Sequence, residues 1–141
     1  MHVTSLNKKE EKKGNIIKIR EGFFEIDKGL IGDINGNSRD KQVSIFTREA
    51  REYIEKENIN GLCMERFYEN ITIEGLIIDE LHEGQTLKIG DTIQEISYIG
   101  KKCFPECNLL KANNQCPLSK EVIFTKVIKS GVIKVGDIVE L

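Results

Sequence analysis

Three of the chain's four cysteines fall in one stretch, as Cys103, Cys107 and Cys116, while Cys63 stands alone upstream. The thiolate rather than the thiol attacks sulfur or binds metal, so the position that best stabilises negative charge is the candidate nucleophile. Pro105 suits the first position of a helix, which would set Cys103 just before a helix amino terminus, where unpaired N–H groups and the dipole favour an anion. Lys101 and Lys102 add positive charge beside it in sequence. Cys103 is therefore the leading nucleophile and Cys107 the second, because a thiol nearby could resolve a persulfide at Cys103 into a disulfide. The plainer alternative is that these cysteines are small buried hydrophobic residues.

The same residues could hold a metal, with Cys103 as a ligand. Their spacing is C-x3-C-x8-C, and a fourth ligand would have to come from distant Cys63 or His82. Structural zinc sites usually offer two close pairs, and one is present here, so a closed metal site is the weaker reading. His2 and His82 have no triad-like setting, and no G-x-S-x-G elbow exists, which sets serine-hydrolase chemistry aside.

A second group of residues suggests anion binding. The run from Gly29 to Lys41 joins flexible backbone at Gly32, Asp33 and Asn35 to the cations Arg39 and Lys41. Backbone N–H groups and those cations could receive an oxyanion, although a solvated loop explains the same composition. There is no Walker pattern and no G-x-G-x-x-G after a strand, so nucleotide binding has no direct support.

Something must position these residues, and the sequence predicts a mostly β fold, closed or partly open as a barrel. Short β-branched segments are expected as strands over Val3–Leu6, Asn15–Ile19, Phe23–Ile26, Gln42–Phe46, Asn70–Ile73, Thr86–Ile89, Thr92–Ile99, Val122–Ile128 and Asp137–Leu141. The turns Ile31-Gly32-Asp33, Ile89-Gly90-Asp91 and Val135-Gly136-Asp137 should reverse or redirect them. One main helix is expected from Thr47, a good N-cap residue, to about Asn58, with Ala50, Tyr53 and Ile54 on one face. A short second helix is expected from Pro105 through Ala112.

The 141 residues suit a single domain spanning 1–141 with a core large enough to need no disulfide. A formal net charge of -2 argues against tight, sequence-independent nucleic-acid binding. No apolar run is long enough for a membrane helix, and the amino terminus does not read as a signal peptide, so a cytoplasmic location with free thiols is expected.

The ordered set of Gly32-Asp33-Ile34-Asn35-Gly36, Lys41-Gln42-Val43-Ser44-Ile45, Tyr68-Glu69-Asn70-Ile71-Thr72, Leu87-Lys88-Ile89-Gly90-Asp91, Ile99-Gly100-Lys101-Lys102-Cys103 and Val135-Gly136-Asp137 resembles the small, stand-alone bacterial MOSC domains. These are related to the carboxy-terminal domain of molybdenum-cofactor sulfurases. The resemblance implies a β-barrel of the pyruvate-kinase β-barrel type, and binding of molybdenum cofactor (molybdopterin) or carriage of sulfur as a cysteine persulfide. It puts the family's characteristic cysteine on Cys103, and it makes Gly32, Asp33, Asn35, Arg39, Lys41, Glu69, Asn70 and Lys101 the residues expected to face the cofactor.

The chain departs from the family pattern where members often carry His at Asn35, Arg at Lys41, Gly at Tyr68 and Thr at Ile73. Lysine in place of arginine exchanges a bidentate fork for a point charge. No pyridoxal-phosphate desulfurase domain is present in these residues, so a separate persulfide donor such as a cysteine desulfurase is implied, with a molybdoenzyme as the receiving partner. Two other classes remain: a small molybdenum-dependent reductase, and a non-catalytic interaction or metal-storage module with structural cysteines.

Overall fold

The computed structural model describes residues 1–36, 38–56, 68–100 and 121–141. The strands are β1 (His2–Lys8), β2 (Ile17–Ile19), β3 (Glu21–Glu25), β4 (Gly29–Leu30) and β5 (Val43–Thr47), then helix α1 (Arg48–Lys56). After it come β6 (Ile71–Glu74), a 3-10 turn (Ile78–Glu80), β7 (Thr86–Ile89), β8 (Thr92–Ile99), β9 (Val122–Lys129), β10 (Gly131–Lys134) and β11 (Val139–Glu140). The predicted mostly β architecture is what the chain forms.

Eight strands make one sheet in the order β11-β7-β8-β9-β5-β6-β1-β2, and β10-β3-β4 make a second. All pairings are antiparallel except β5 with β6, which α1 connects as a crossover requires. The large sheet curls into a partly open barrel. Its seam is bridged where the Val3 N–H donates to the Asp137 carbonyl at 2.9 Å, Gly136 N–H to Val3 at 2.8 Å and Val139 N–H to Met1 at 3.1 Å.

Alternation puts Val3, Ile45, Ile71, Ile73, Leu87, Ile89, Ile96 and Ile123 inside the curl, together with Phe24 and Leu30 from the second sheet. The opposite face of β5 and β6 carries Ser44, Phe46 and Thr72, and this is the face on which the candidate site is built.

Helix α1 begins as the sequence predicts, with the Thr47 hydroxyl accepting the Ala50 N–H at 3.2 Å. Ala50 and Ile54 are buried, but Tyr53 is 53% exposed and does not belong to the packed face. The Gly-Asp turns do redirect strands: Gly90, at a φ of 54°, joins β7 to β8. β4 and β10 were not foreseen, and neither was the 3-10 turn. The expected second helix from Pro105 and the end of the first at Asn58 lie outside the described residues, as do Cys63, Cys103, Cys107, Cys116 and Lys101.

Candidate functional site

The turn after β4 is held against the segment that leads into β6. The Tyr68 hydroxyl donates to Asp33 Oδ1 at 2.7 Å and accepts a hydrogen bond from Asn35 Nδ2 at 3.0 Å. Asp33 also takes the Lys9 N–H at 3.0 Å and the Asn35 N–H at 3.2 Å, so one carboxylate binds its own turn to both β1 and Tyr68. Burial, the hydrogen bond to Asp33 and that carboxylate's charge raise the Tyr68 phenol well above its ordinary pKa, against a smaller lowering by Asn35. Two positions that depart from the family pattern, Asn35 and Tyr68, are thus in direct contact.

Lysines surround this turn. The Lys9 ammonium stands 5.6 Å from the centre of the Tyr68 ring. A side chain at Gly32, where φ is 92°, would meet only Lys8, whose Nζ lies 3.4 Å from the ideal Cβ. Glycine therefore leaves room in front of an ammonium group, and the left-handed backbone there suits few other residues.

Glu69 and Asn70 are 4% and 2% exposed, and each is engaged by the fold. Asn70 Oδ1 accepts the Ser44 N–H at 3.1 Å and the Ser44 hydroxyl at 3.2 Å, while Nδ2 donates to the Asn7 carbonyl at 3.2 Å. The asparagine locks β5, β6 and β1 together. Glu69 receives a fork from Arg51, with Nη2 donating to Oε1 at 2.5 Å and Nε to Oε2 at 3.2 Å. The Thr72 hydroxyl donates to Glu69 Oε2 at 3.1 Å and accepts from the Ser5 hydroxyl at 2.8 Å. A buried carboxylate is tolerable only when paired and hydrogen-bonded in this way.

Glu69, Thr72 and Ser5 line a groove of about 530 Å³, whereas Asn70 does not. Ile16 and Lys18 line it too, with Arg48, Arg51, Glu52 and Glu55 of α1 and with Tyr68. Arg51 and Tyr68 are the residues that the sequence reading missed. Tyr68 was visible only as a departure from a family pattern, and nothing marked Arg51, which lies 18 residues before its carboxylate partner.

The remaining sequence-predicted residues separate. Arg39 lines a different depression, with Ile26, Asp27 and Lys126, and is not part of the groove. Lys41 stands over two aromatic rings, 5.2 Å from the centre of Tyr98 and 5.1 Å from that of Phe124. Those rings lie close in sequence to Gly100 and Val122, the last and first strand-linked residues around 101–120, which are joined by a Gly100 N–H to Val122 carbonyl bond of 2.7 Å. Lys41 is therefore near the roots of the segment that holds Cys103.

Whether these residues suit a molybdenum-pterin group depends on their chemistry. Its anionic end asks for cations and N–H or O–H donors, and Lys8, Lys9 and the open backbone at Gly32 provide a matching set, from which Lys41 stands apart. Among the described residues no cluster of His, Cys, Asp or Glu could hold a metal ion, so a protein ligand to molybdenum would come from elsewhere, Cys103 being the candidate.

A family model described as MOSC domain matches residues 31–140. No curated protein matches the chain. Among solved structures, the YuaD protein from Bacillus subtilis superposes with a TM-score of 0.67 at 16% identity, over 98% of this chain and 93% of that one. YiiM from Escherichia coli gives 0.63 at 15% identity, over 100% and 69%. A crystal structure of a hypothetical protein gives 0.67 at 16% identity, over 100% and 67%. At such identities the likeness is one of fold.

Proposed function

The chain belongs to the MOSC domain family, and on that premise we propose that it binds molybdenum cofactor, or carries sulfur as a persulfide on Cys103, in the maturation of a metal–sulfur cofactor. We take it to act as a single cytoplasmic domain over residues 1–141. The observation that supports this reading best is the convergence of an amide-rich turn at Gly32–Gly36, the lysines Lys8 and Lys9, and the Tyr68–Asn70 segment on one face. A second support is the placing of Lys41 at the roots of the cysteine segment.

The sulfur step balances with the chain's own thiols. The Cys103 thiolate attacks the outer sulfur of a donor persulfide, the donor S–S bond breaks, and the donor leaves as a thiolate while Cys103 keeps the sulfur. Attack by the Cys107 thiolate on the inner sulfur would then release hydrosulfide and leave a Cys103–Cys107 disulfide. A cysteine desulfurase has the chemistry of the donor, and a molybdoenzyme that of the final recipient. When bound, molybdenum cofactor would supply a redox-active metal. Lys8, Lys9 and the backbone of Gly32 would hold its anionic end, and Lys41 and Lys101 would add charge near Cys103.

The test is pH-dependent alkylation with mass-spectrometric site identification, in wild type, Cys103→Ser and Cys107→Ser. Cys103 is expected to label fastest near neutral pH, and Cys103→Ser to lose persulfide after incubation with a desulfurase and cysteine. Metal and pterin analysis of protein purified from a cofactor-producing host reads the other branch. Equal labelling of Cys103 and Cys63, with persulfide and cofactor retained in Cys103→Ser, would overturn the assignment.

A further inference from the structure

The arm made by β1 and β2 is a basic region on an acidic chain. Residues 8–18 hold Lys8, Lys9, Lys12, Lys13 and Lys18 against Glu10 and Glu11, whereas the whole chain has a net charge of -2. Lys8 is paired with Glu10 at 3.1 Å, and Lys9 stands over Tyr68. Lys12, Lys13 and Lys18 form no ion pair among the described residues.

β2 is the terminal strand of the large sheet, and among the described residues only β1 pairs with it. Edge lysines are a common defence against aggregation and alone would say little. The apolar residues on this edge point the other way: Ile16 is 52% exposed and Ile17 39%. Successive residues face opposite sides of a strand, so within β2 Ile17 leaves an apolar group bare on one side of the edge and Lys18 a charge on the other, with exposed Ile16 just before the strand. Ile16 and Lys18 also line the groove, as do Arg48 and Arg51 of α1.

We propose that this edge and the adjoining groove dock an acidic, extended segment of a partner protein, which adds as a strand along β2. Its backbone would bond to the open edge, its alternate apolar side chains would cover Ile17 on one face, and the carboxylates between them would meet Lys18 on the other face and Lys12 and Lys13 at the β1–β2 turn. A continuous polyanion such as nucleic acid fits less well, because the N–H and C=O groups of an open strand edge pair with another peptide backbone and a phosphodiester chain cannot continue that ladder. The inference rests on the sulfur- or cofactor-handling reading only in that a carrier must meet its partner, and its test does not involve the cysteines.

The probe is a fluorescent peptide of about a dozen residues alternating Glu with Val, titrated against the full chain by polarisation. Charge reversal in Lys12→Glu/Lys13→Glu/Lys18→Glu should weaken binding at least about tenfold, and reversal of the exposed lysines in Lys88→Glu/Lys129→Glu/Lys134→Glu less than about twofold. A peptide N-methylated on alternate backbone nitrogens should bind wild type at least about tenfold more weakly, a measurement that needs no variant to fold. Absence of peptide binding, equal loss in the two triple variants, indifference to N-methylation, or equally tight binding of a single-stranded oligonucleotide of the same charge each overturns the proposal. Cys103 should label at the wild-type rate in the arm variant, so docking and thiol chemistry are read separately.

Discussion

The turns at Gly32-Asp33 and Gly136-Asp137 have similar glycine φ values, 92° and 96°, and each aspartate carboxylate accepts a backbone N–H within its own turn. They differ in what else that carboxylate does. Asp137 bonds the Lys134 N–H at 2.7 Å, and its turn closes the barrel seam through backbone groups of Val3. Asp33 reaches outward to the Lys9 N–H and the Tyr68 hydroxyl, and through Tyr68 it adjoins the Glu69–Arg51 groove. Similar local chemistry thus yields a joint in one place and a side-chain network in the other. The distinction comes from which strands pass nearby, and it can be tested from both sides.

The largest effect should come from the network. Glu69→Ala removes a carboxylate that is 6% exposed and leaves the Arg51 guanidinium without its fork partner. We expect a loss of about 3 kcal/mol in urea unfolding, at the low end of the range for breaking a buried pair because Arg51 is partly exposed. A loss below about 0.5 kcal/mol would mean the network is surface decoration.

The joint should respond next. At Gly90 an added Cβ would lie 2.5 Å from Asp137 Oδ2 and 3.0 Å from the Val132 carbonyl, since this turn packs against the Gly136-Asp137 turn. Gly90→Ala should cost about 2 kcal/mol, whereas Gly136→Ala, which meets nothing within 4 Å, should cost about 1 kcal/mol from its positive φ alone. Equal melting temperatures for the two variants would show that the turns do not press on each other.

Tyr68→Phe keeps the ring and deletes the hydroxyl that links Asp33 to Asn35, for an expected loss of about 1 kcal/mol. It should also speed amide exchange over residues 31–36 without affecting the Gly136 turn. Faster exchange at both turns would erase the contrast.

The smallest effect is one of pH. Because the folded Tyr68 pKa is raised, the neutral phenol contributes stability in full below the unfolded value of about 10, and this is lost as pH rises through the folded value. The difference between wild type and Tyr68→Phe in an alkaline absorbance titration should therefore appear only above the ordinary tyrosine range. A phenolate signal from Tyr68 at about pH 10 would contradict the buried hydrogen bond.

Much of the fold could be read from composition and alternation. Thr86–Ile89 and Thr92–Ile99 were bounded correctly because a Gly-Asp turn separates two runs of β-branched residues. Thr47 announced α1, because a threonine before a charged run with spaced apolar residues satisfies an unpaired N–H. Gly29–Leu30 and Gly131–Lys134 were missed because such short strands exist through their partners, Phe24 with Leu30 and Phe23 with Val132, and have no periodicity of their own.

The candidate site divides along the same line. Sequence alone supplied the residue types: a cysteine next to lysines, a glycine turn with amide and carboxylate groups, and through family likeness the Glu69-Asn70 pair. It also supplied the turn chemistry, because an aspartate after a left-handed glycine bonds to backbone a few residues away whatever surrounds it. The tertiary structure alone decided that Asn35 would meet Tyr68, that Arg51 would neutralise Glu69, and that Arg39 would face another depression. Those outcomes depend on how β1, β5, β6 and α1 cross. A salt bridge or a phenol–carboxylate bond between residues 18 or 35 positions apart leaves no spacing rule behind it, because the chain between them is free to take any path that closes the barrel.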